Sequence, residues 1–458
     1  MRSLMTQTTI MKNILLLNLK VISLFTFLFF LFSCKKQDTP PITRPVVEWQ
    51  KCLGGSGMEY ATFTQQTRDG GYIVAGYSNS NDGDVTGNHG GYDYWVVKLS
   101  STGSIQWQKC LGGSGMEYAT FTQQTTDGGY IVAGYSDSND GDVSGNHGGG
   151  DYWVVKMDNT GIILWQKSLG GSNADEASSV QQTADGGYIV AGWSNSNNGD
   201  VSGNHAGSGG GSGDYWVVKL GSTGSIQWQK CLGGSGDDFA NFIQQTTDGG
   251  YVVAGGSGSH DGDVSGNHSA SFADDYWVVK MDNTGNIQWQ KCLGGFYNEL
   301  AYSIRQTTDG GYIVAGLSGS NDGDVSGNHG GGDYWVVKMD NTGNIQWQKC
   351  LGGFYNDLPY SIRQATDGGY IVAGLSGSND GDVSGNHGAE DYWVVKMDNT
   401  GNIQWQKCLG GSGVDRANFI QQTTGGGYIV VGSSVSNDGD VSGNHGQNDY
   451  WVVKLTTK

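Results

Sequence analysis

"YIVAGYSDSNDGDVSGNHGGGDYWVVKM" runs from Tyr130 to Met157. It holds two runs rich in valine, isoleucine and aromatic residues, separated by an acidic, glycine-rich loop that ends in Asn-His. Such runs form β-strands, because β-branched and aromatic side chains fit a pleated, half-buried surface. Close copies return six more times along the chain. Trp49, Trp107, Trp165, Trp228, Trp289, Trp347 and Trp405 mark one position in every copy, at spacings of 58, 58, 63, 61, 58 and 58 residues. The two longer spacings come from insertions in one loop, at "AGSGGGSGDYW" and "SASFADDYW".

Each unit reads as four strands. In the second, "ATFTQQT" meets "YIVAGYS" through Thr126-Asp127-Gly128-Gly129, a tight-turn sequence, and after the long loop "YWVVKM" turns through "DNTG" into "IILWQKSLGG". No segment carries a helical period. Four short antiparallel strands at this repeat length predict a propeller blade; a β-helix would need much shorter coils. The array opens with "VVEWQKCLGG", the strand that ends every other unit, and stops at "YWVVKLTTK", where that strand is missing. The strand at 46–53 is therefore expected to complete the blade begun by 417–455, which removes both open edges. The expected fold is all-β: a seven-bladed propeller of four-stranded antiparallel blades over residues 46–458.

Glycine is 80 of 458 residues with only 4 prolines and no three-residue period, which excludes collagen, and an aromatic content of 11% gives the chain ample surface to bury. The first residues differ from the rest. Lys12 and Lys20 precede an apolar run from 21 to 33, the pattern of an export signal, and that run is shorter than the ~20 residues needed to span a bilayer. It ends on Leu31-Phe32-Ser33-Cys34, which resembles a bacterial lipobox. Residues 1–33 are accordingly read as a lipoprotein signal peptide, Cys34 as the lipid-modified N-terminus, and 34–45, with Pro40, Pro41 and Pro45, as a stiff spacer. An ordinary secretory signal and an uncleaved anchor are the alternatives. The expected location is the cell envelope, at the outer membrane. Removing residues 1–33 moves the formal charge from −19 to about −22. Phosphate binding needs clustered Lys and Arg, so no nucleic-acid partner is expected.

The composite order "FTQQTTDGGYIVAGYS…DYWVVKLDNTGNIQWQKCLGG" resembles NHL-type propeller repeats and the long repeat lipoproteins of Gram-negative bacteria. The resemblance covers essentially all of 46–458 and implies "QQT" strands innermost and "WQKC" strands outermost, without implying one function. "DNTGNIQWQ" is also similar to part of the bulb-type lectin pattern, but "QQTTDGGYIVAG" does not reproduce the mannose motif of those lectins.

Strand alternation puts the "DGG" and "DNTG" turns on one face of the ring and the "NDGDVSGNH" loops and "LGG" crossovers on the other. Long loops on a rigid scaffold are where function concentrates. The loops carry Asp82 and Asp84, Asp140 and Asp142, Asp200, Asp261 and Asp263, Asp322 and Asp324, Asp380 and Asp382, and Asp438 and Asp440; Asn198 replaces the first acid of the third unit. Carboxylates on a tight turn are hard oxygen ligands, which makes Ca²⁺ the candidate cation, against the plain alternative that Asp, Asn, Ser and Gly form turns. The loop histidines, His147 among them, are read as packing hydrogen-bond partners. Trp95, Trp153, Trp216, Trp277, Trp335, Trp393 and Trp451 begin the third strands beside the acidic loops; most should pack between blades, and any edge reaching the face would be sugar-binding ground.

Six equivalent cysteines, with Ser168 at the seventh place, sit too far apart by symmetry for disulfides and are read as free thiols. No catalytic motif is present. The repetition breaks at the loop 206–214, at "FYNEL" and "FYNDL" (Phe296–Leu300 and Phe354–Leu358), and at Arg305 and Arg363, which replace Gln in adjacent inner strands. The expected function is non-enzymatic: a lipid-anchored binding or scaffolding propeller whose acidic loop face takes a protein or glycan at the cell surface. The alternative is a lectin-like carbohydrate receptor, with or without a requirement for calcium.

Because lipid attachment needs a thiol, Cys34→Ser should release the protein from the membrane fraction or leave it unprocessed. Fractionation of the variant with membranes, as for the parent, would overturn the lipobox reading.

Overall fold

The computed structural model describes residues 44–205, 212–269 and 273–457. Cys34, the signal peptide, most of the spacer and the inserted stretch 206–211 lie outside the described residues. Twenty-eight strands form seven four-stranded antiparallel sheets. The first blade is β2 (Glu59–Gln66), β3 (Tyr72–Ser78), β4 (Asp93–Leu99) and β5 (Ile105–Leu111). In the last, β1 (Pro45–Leu53) pairs with β28 (Asp449–Thr457), which continues to β27 (Tyr428–Ser434) and β26 (Asp415–Gln422). The ring thus closes through the N-terminal strand, as the chain ends imply, with Cys52 opposite Trp451 and Leu53 opposite Tyr450.

Inner strands contact one another around the axis, with Phe63 against both Phe121 and Phe419. Each "DYWVVK" strand is buried along its whole length because it lies between two strands of its own blade and between two neighbouring blades. Alternation then sends its side chains to opposite neighbours. Tyr94 donates its hydroxyl to the backbone carbonyl of Trp153 in the next blade, and the two rings lie 4.6 Å apart. The same Tyr-to-Trp bond, at 2.9–3.1 Å, recurs at all seven junctions, ending with Tyr450 to Trp95. Such aromatic pairs contribute about 0.5–1.5 kcal/mol beyond the area they bury.

On the opposite edge, a buried lysine pins each "DGG" turn. Lys156 Nζ lies 2.9 Å from Asp127, whose carboxylate also accepts from Thr125 and from the Gly129 N–H. Partial burial works against ionisation, but the bonds from Thr125 and Lys156 hold the Asp127 carboxyl down at about 2. Six blades share this pair. The seventh has Gly425 in place of the aspartate, so buried Lys454 reaches only Thr423 Oγ1 at 3.0 Å, a backbone carbonyl at 3.1 Å and, at 3.9 Å, Glu48.

A Cβ on Gly425 would meet nothing within 4 Å. Gly425→Asp should therefore supply the missing partner and stabilise the fold by about 1 kcal/mol, read as a higher urea midpoint. Asp127→Ala should cost about 1–3 kcal/mol, since it leaves Lys156 buried without its counter-charge.

Candidate functional site

The acidic loops and the blade-to-blade crossovers share one face, held together by a repeated set of bonds. In the first loop, Asp82 Oδ1 accepts from the N–H of Ser56, 2.7 Å away on the incoming crossover. Asp84 N donates to the Gly54 carbonyl at 2.9 Å. Gly83 adopts φ +62° there, and a Cβ would lie 2.4 Å from that carbonyl, so the central residue of Asp-Gly-Asp must be glycine. Asn198 makes the same bond to the Ser172 N–H at 2.8 Å as the aspartates make elsewhere. What the position uses is an oxygen acceptor, not a charge.

In three loops the second aspartate faces a histidine of the preceding blade. His147 Nδ1 is 2.6 Å from Asp151 Oδ2 in its own blade, and its Nε2 is 4.0 Å from Asp200 in the next. His205 with Asp263 and His329 with Asp382 repeat the arrangement at 3.9 and 4.0 Å. The bond to Asp151, helped by the field of Asp200, raises the His147 pKa above its usual value. The loop histidines are therefore packing and inter-blade partners. Among the described residues, no three or more His, Cys, Asp or Glu side chains gather as metal ligands. The thirteen candidate aspartates are spread one loop per blade, and the first acid of each loop, or Asn198 in its place, accepts a crossover N–H.

Trp95, Trp153, Trp216, Trp277, Trp335, Trp393 and Trp451 are all fully buried. Each indole N–H donates to a glutamine on the adjoining outer strand at 2.9 Å, as Trp95 does to Gln108. No ring edge reaches the loop face, which corrects their assignment as ligand-binding residues: inter-blade packing claims both faces of the indole. The exposed aromatics lie elsewhere. Phe296, Tyr297, Phe354 and Tyr355, on the crossovers before β18 (Glu299–Gln306) and β22 (Asp357–Gln364), are 53–64% exposed. The first repeat has Ser56-Gly57 at this place. Their backbone N–H groups keep the common bonds, Phe296 to Asp322 and Phe354 to Asp380, both at 2.9 Å. The sequence signal for them was the break in repetition, not the tryptophan pattern.

Beneath the face, each junction buries two carboxylates on either side of the crossover glycine. A Cβ on Gly54 would lie 2.3 Å from Glu59 Oε2 and 2.8 Å from Asp449 Oδ1, and Gly112 stands likewise between Glu117 and Asp93. Oδ1 of Asp93, Asp151, Asp214, Asp275, Asp333, Asp391 and Asp449 is buried with no hydrogen-bond partner. Burial raises the pKa of these groups. Asp238 reaches about 7 and Asp357 about 6, with the neighbouring Asp214 and Asp333 charges adding to the effect. The six described repeat cysteines are free and buried, as expected from their spacing, and burial pushes the Cys110 thiol up to about 12. They are therefore not reactive thiolates.

No protein-family profile matches the chain, and no curated protein matches its sequence. Solved structures align with most of its length. The WD40 domain of Pan2 from Neurospora crassa aligns with 90% of this chain and 96% of its own at 11% identity and a TM-score of 0.48. BamB from Moraxella catarrhalis covers 89% and 99% at 15% identity and a TM-score of 0.39. BBS1N, solved in complex with ARL6DN, covers 91% and 97% at 8% identity and a TM-score of 0.49.

The buried acids set a pH dependence whose sign follows from proton counting. Between about pH 4 and pH 7 the folded chain keeps a proton on Asp238 that the unfolded chain has released, so raising pH across that window lowers stability. Asp127 and its equivalents act oppositely: their stabilisation is present above about pH 4 and is lost as pH falls toward 2. The melting temperature should therefore be highest near pH 4 and lower at pH 8. A maximum at pH 8 would show that the buried pairs ionise freely.

Proposed function

We propose that this protein is a non-enzymatic, lipid-anchored binding propeller of the cell envelope, and that its acidic loop face docks a protein partner. The fold supports a binding platform, since β-propellers hold loops in a rigid ring. The observation that carries the reading is the set of four exposed aromatic rings on two adjacent crossovers. Exposed aromatic clusters beside charged groups are the usual anchors of interfaces, in which a few aromatic side chains carry most of the binding energy. The surrounding acids, Asp322, Asp324, Asp380 and Asp382, favour a partner with a basic rim around an apolar centre. Buried thiols, the lack of a catalytic motif and the assignment of the loop histidines to packing all support binding rather than chemistry.

A glycan is the second reading, favoured by the same rings, because aromatic faces beside carboxylates suit the apolar and hydroxyl faces of sugars.

The test replaces Phe296-Tyr297 and Phe354-Tyr355 together with Ser-Gly, the pair found at the first repeat. The variant should melt as the parent does but lose crosslinking to envelope proteins, with the affinity of any captured partner falling by about 2 kcal/mol or more. Unchanged crosslinking would overturn the loop-face reading; binding on a glycan array that the variant loses would decide for the sugar.

A further inference from the structure

A cavity of about 440 Å³ lies on the propeller axis, between a layer of phenylalanines and the ends of the inner strands that lead into the "DGG" turns. In that layer Phe63 lies between Phe121 and Phe419, 3.7 and 3.8 Å from their rings, and Phe242 lies 5.7 Å from Phe121. Glutamines and two arginines, Arg305 and Arg363, make most of the remaining wall. No carboxylate lines it, although the chain carries 44 Asp and Glu against 25 Lys and Arg. The charges on this wall are therefore all positive.

Repetition shows what the arginines change. In five blades the equivalent residue is a glutamine whose Oε1 accepts a backbone N–H from the next blade. Gln65 accepts from Gln124 at 2.6 Å, Gln123 from Gln182 at 2.7 Å, Gln181 from Gln245 at 2.7 Å, Gln244 from Gln306 at 2.9 Å, and Gln421 from Gln66 at 2.9 Å. Arginine has no acceptor atom. At the two remaining junctions the N–H groups of Gln364 and Gln422 cannot form this bond, and each guanidinium adds further donors. The guanidiniums stack on neighbouring rings, Arg305 over Phe242 at 3.8 Å and Arg363 over Phe419 at 4.6 Å, which orients them without satisfying their N–H groups. Nε and one terminal nitrogen of Arg305, and Nε of Arg363, are buried with no hydrogen-bond partner. One sector of the cavity is thus rich in donors, poor in acceptors and positively charged. Burial and the field of Arg363 press in the same direction, lowering the Arg305 pKa.

We propose that the axial cavity binds a small organic carboxylate, whose oxygens meet the donors of Arg305 and Arg363 while its hydrocarbon part lies against the phenylalanine layer. The planar fork of arginine matches a carboxylate oxygen for oxygen, and a cavity of this size holds a small molecule. The aromatic floor favours an organic acid over inorganic phosphate, which has no apolar part to bury there. This site is separate from the loop face and does not depend on the reading given to that face.

Calorimetric titration of the detergent-solubilised full-length protein with benzoate, succinate and inorganic phosphate tests the assignment. A saturable site of one carboxylate per chain, with phosphate at least tenfold weaker, is the expected result. Arg305→Gln combined with Arg363→Gln places at both sites the residue that five blades already use and restores their inter-blade acceptors, so this variant should melt at or above the parent temperature. It should bind the carboxylate about tenfold or more weakly. The carboxylate should raise the melting temperature of the parent and leave that of the double variant unmoved. No saturable carboxylate binding, equal binding by parent and double variant, or tighter binding of phosphate than of either carboxylate would each overturn the proposal.

Discussion

Seven tyrosine hydroxyls reaching to seven tryptophan carbonyls hold the ring together. Each Tyr-Trp contact lies between blades and not within one, so no blade can complete its own packing. A blade alone would expose the Trp and Tyr side chains of a central strand that is fully buried in the ring. Closure by β1 follows from the same constraint, because the seventh junction, Tyr450 to Trp95, requires β28 to be held in register by a strand on its outer side. The architecture is thus stable as a closed set and exposed when open.

That cooperative ring allows individual junctions to hold groups that are costly to bury. The crossover glycines let two carboxylates approach at every junction, and several of their oxygens have no partner. Their raised pKa values place the stability maximum on the acidic side of neutrality, while the Lys-Asp pairs at the "DGG" turns limit it at lower pH. Stability and local cost are balanced across the same sheets, with the lysines on one edge and the buried acids on the other.

The two blades that depart furthest from the repeat do so in more than one place. β18 and β22 each follow an exposed Phe-Tyr pair on the loop face and each carry an arginine toward the axial cavity. The departures lie on both sides of the same strands. The loop-face rings are oriented by the Asp322 and Asp380 bonds common to all repeats, so the scaffold is unchanged where the surface chemistry differs. The axial arginines, by contrast, remove an inter-blade acceptor at two junctions.

Strand count, blade period, closure and the free cysteines were all legible in the sequence. They rest on local signals: β-branched runs, tight-turn residues, equal spacing and the mismatch between the first and last units. The partners of the repeated polar and aromatic residues were not legible, because they lie on other loops or other blades. Asp82 stands out in the sequence as an acid on a tight turn, and only the closed ring shows Ser56, on the crossover from the last blade, supplying its N–H. Packing of Trp95 between blades was expected, but only the closed ring shows that its partner is Tyr450, from the other end of the chain. Arg305 and Arg363 stood out in the sequence as a change of charge, but only the packing of seven inner strands around one axis gives them a cavity without acceptors. Local residue preference determines the strand and the turn; which side chain faces a neighbour, a cavity or solvent is decided when the blades close into a ring.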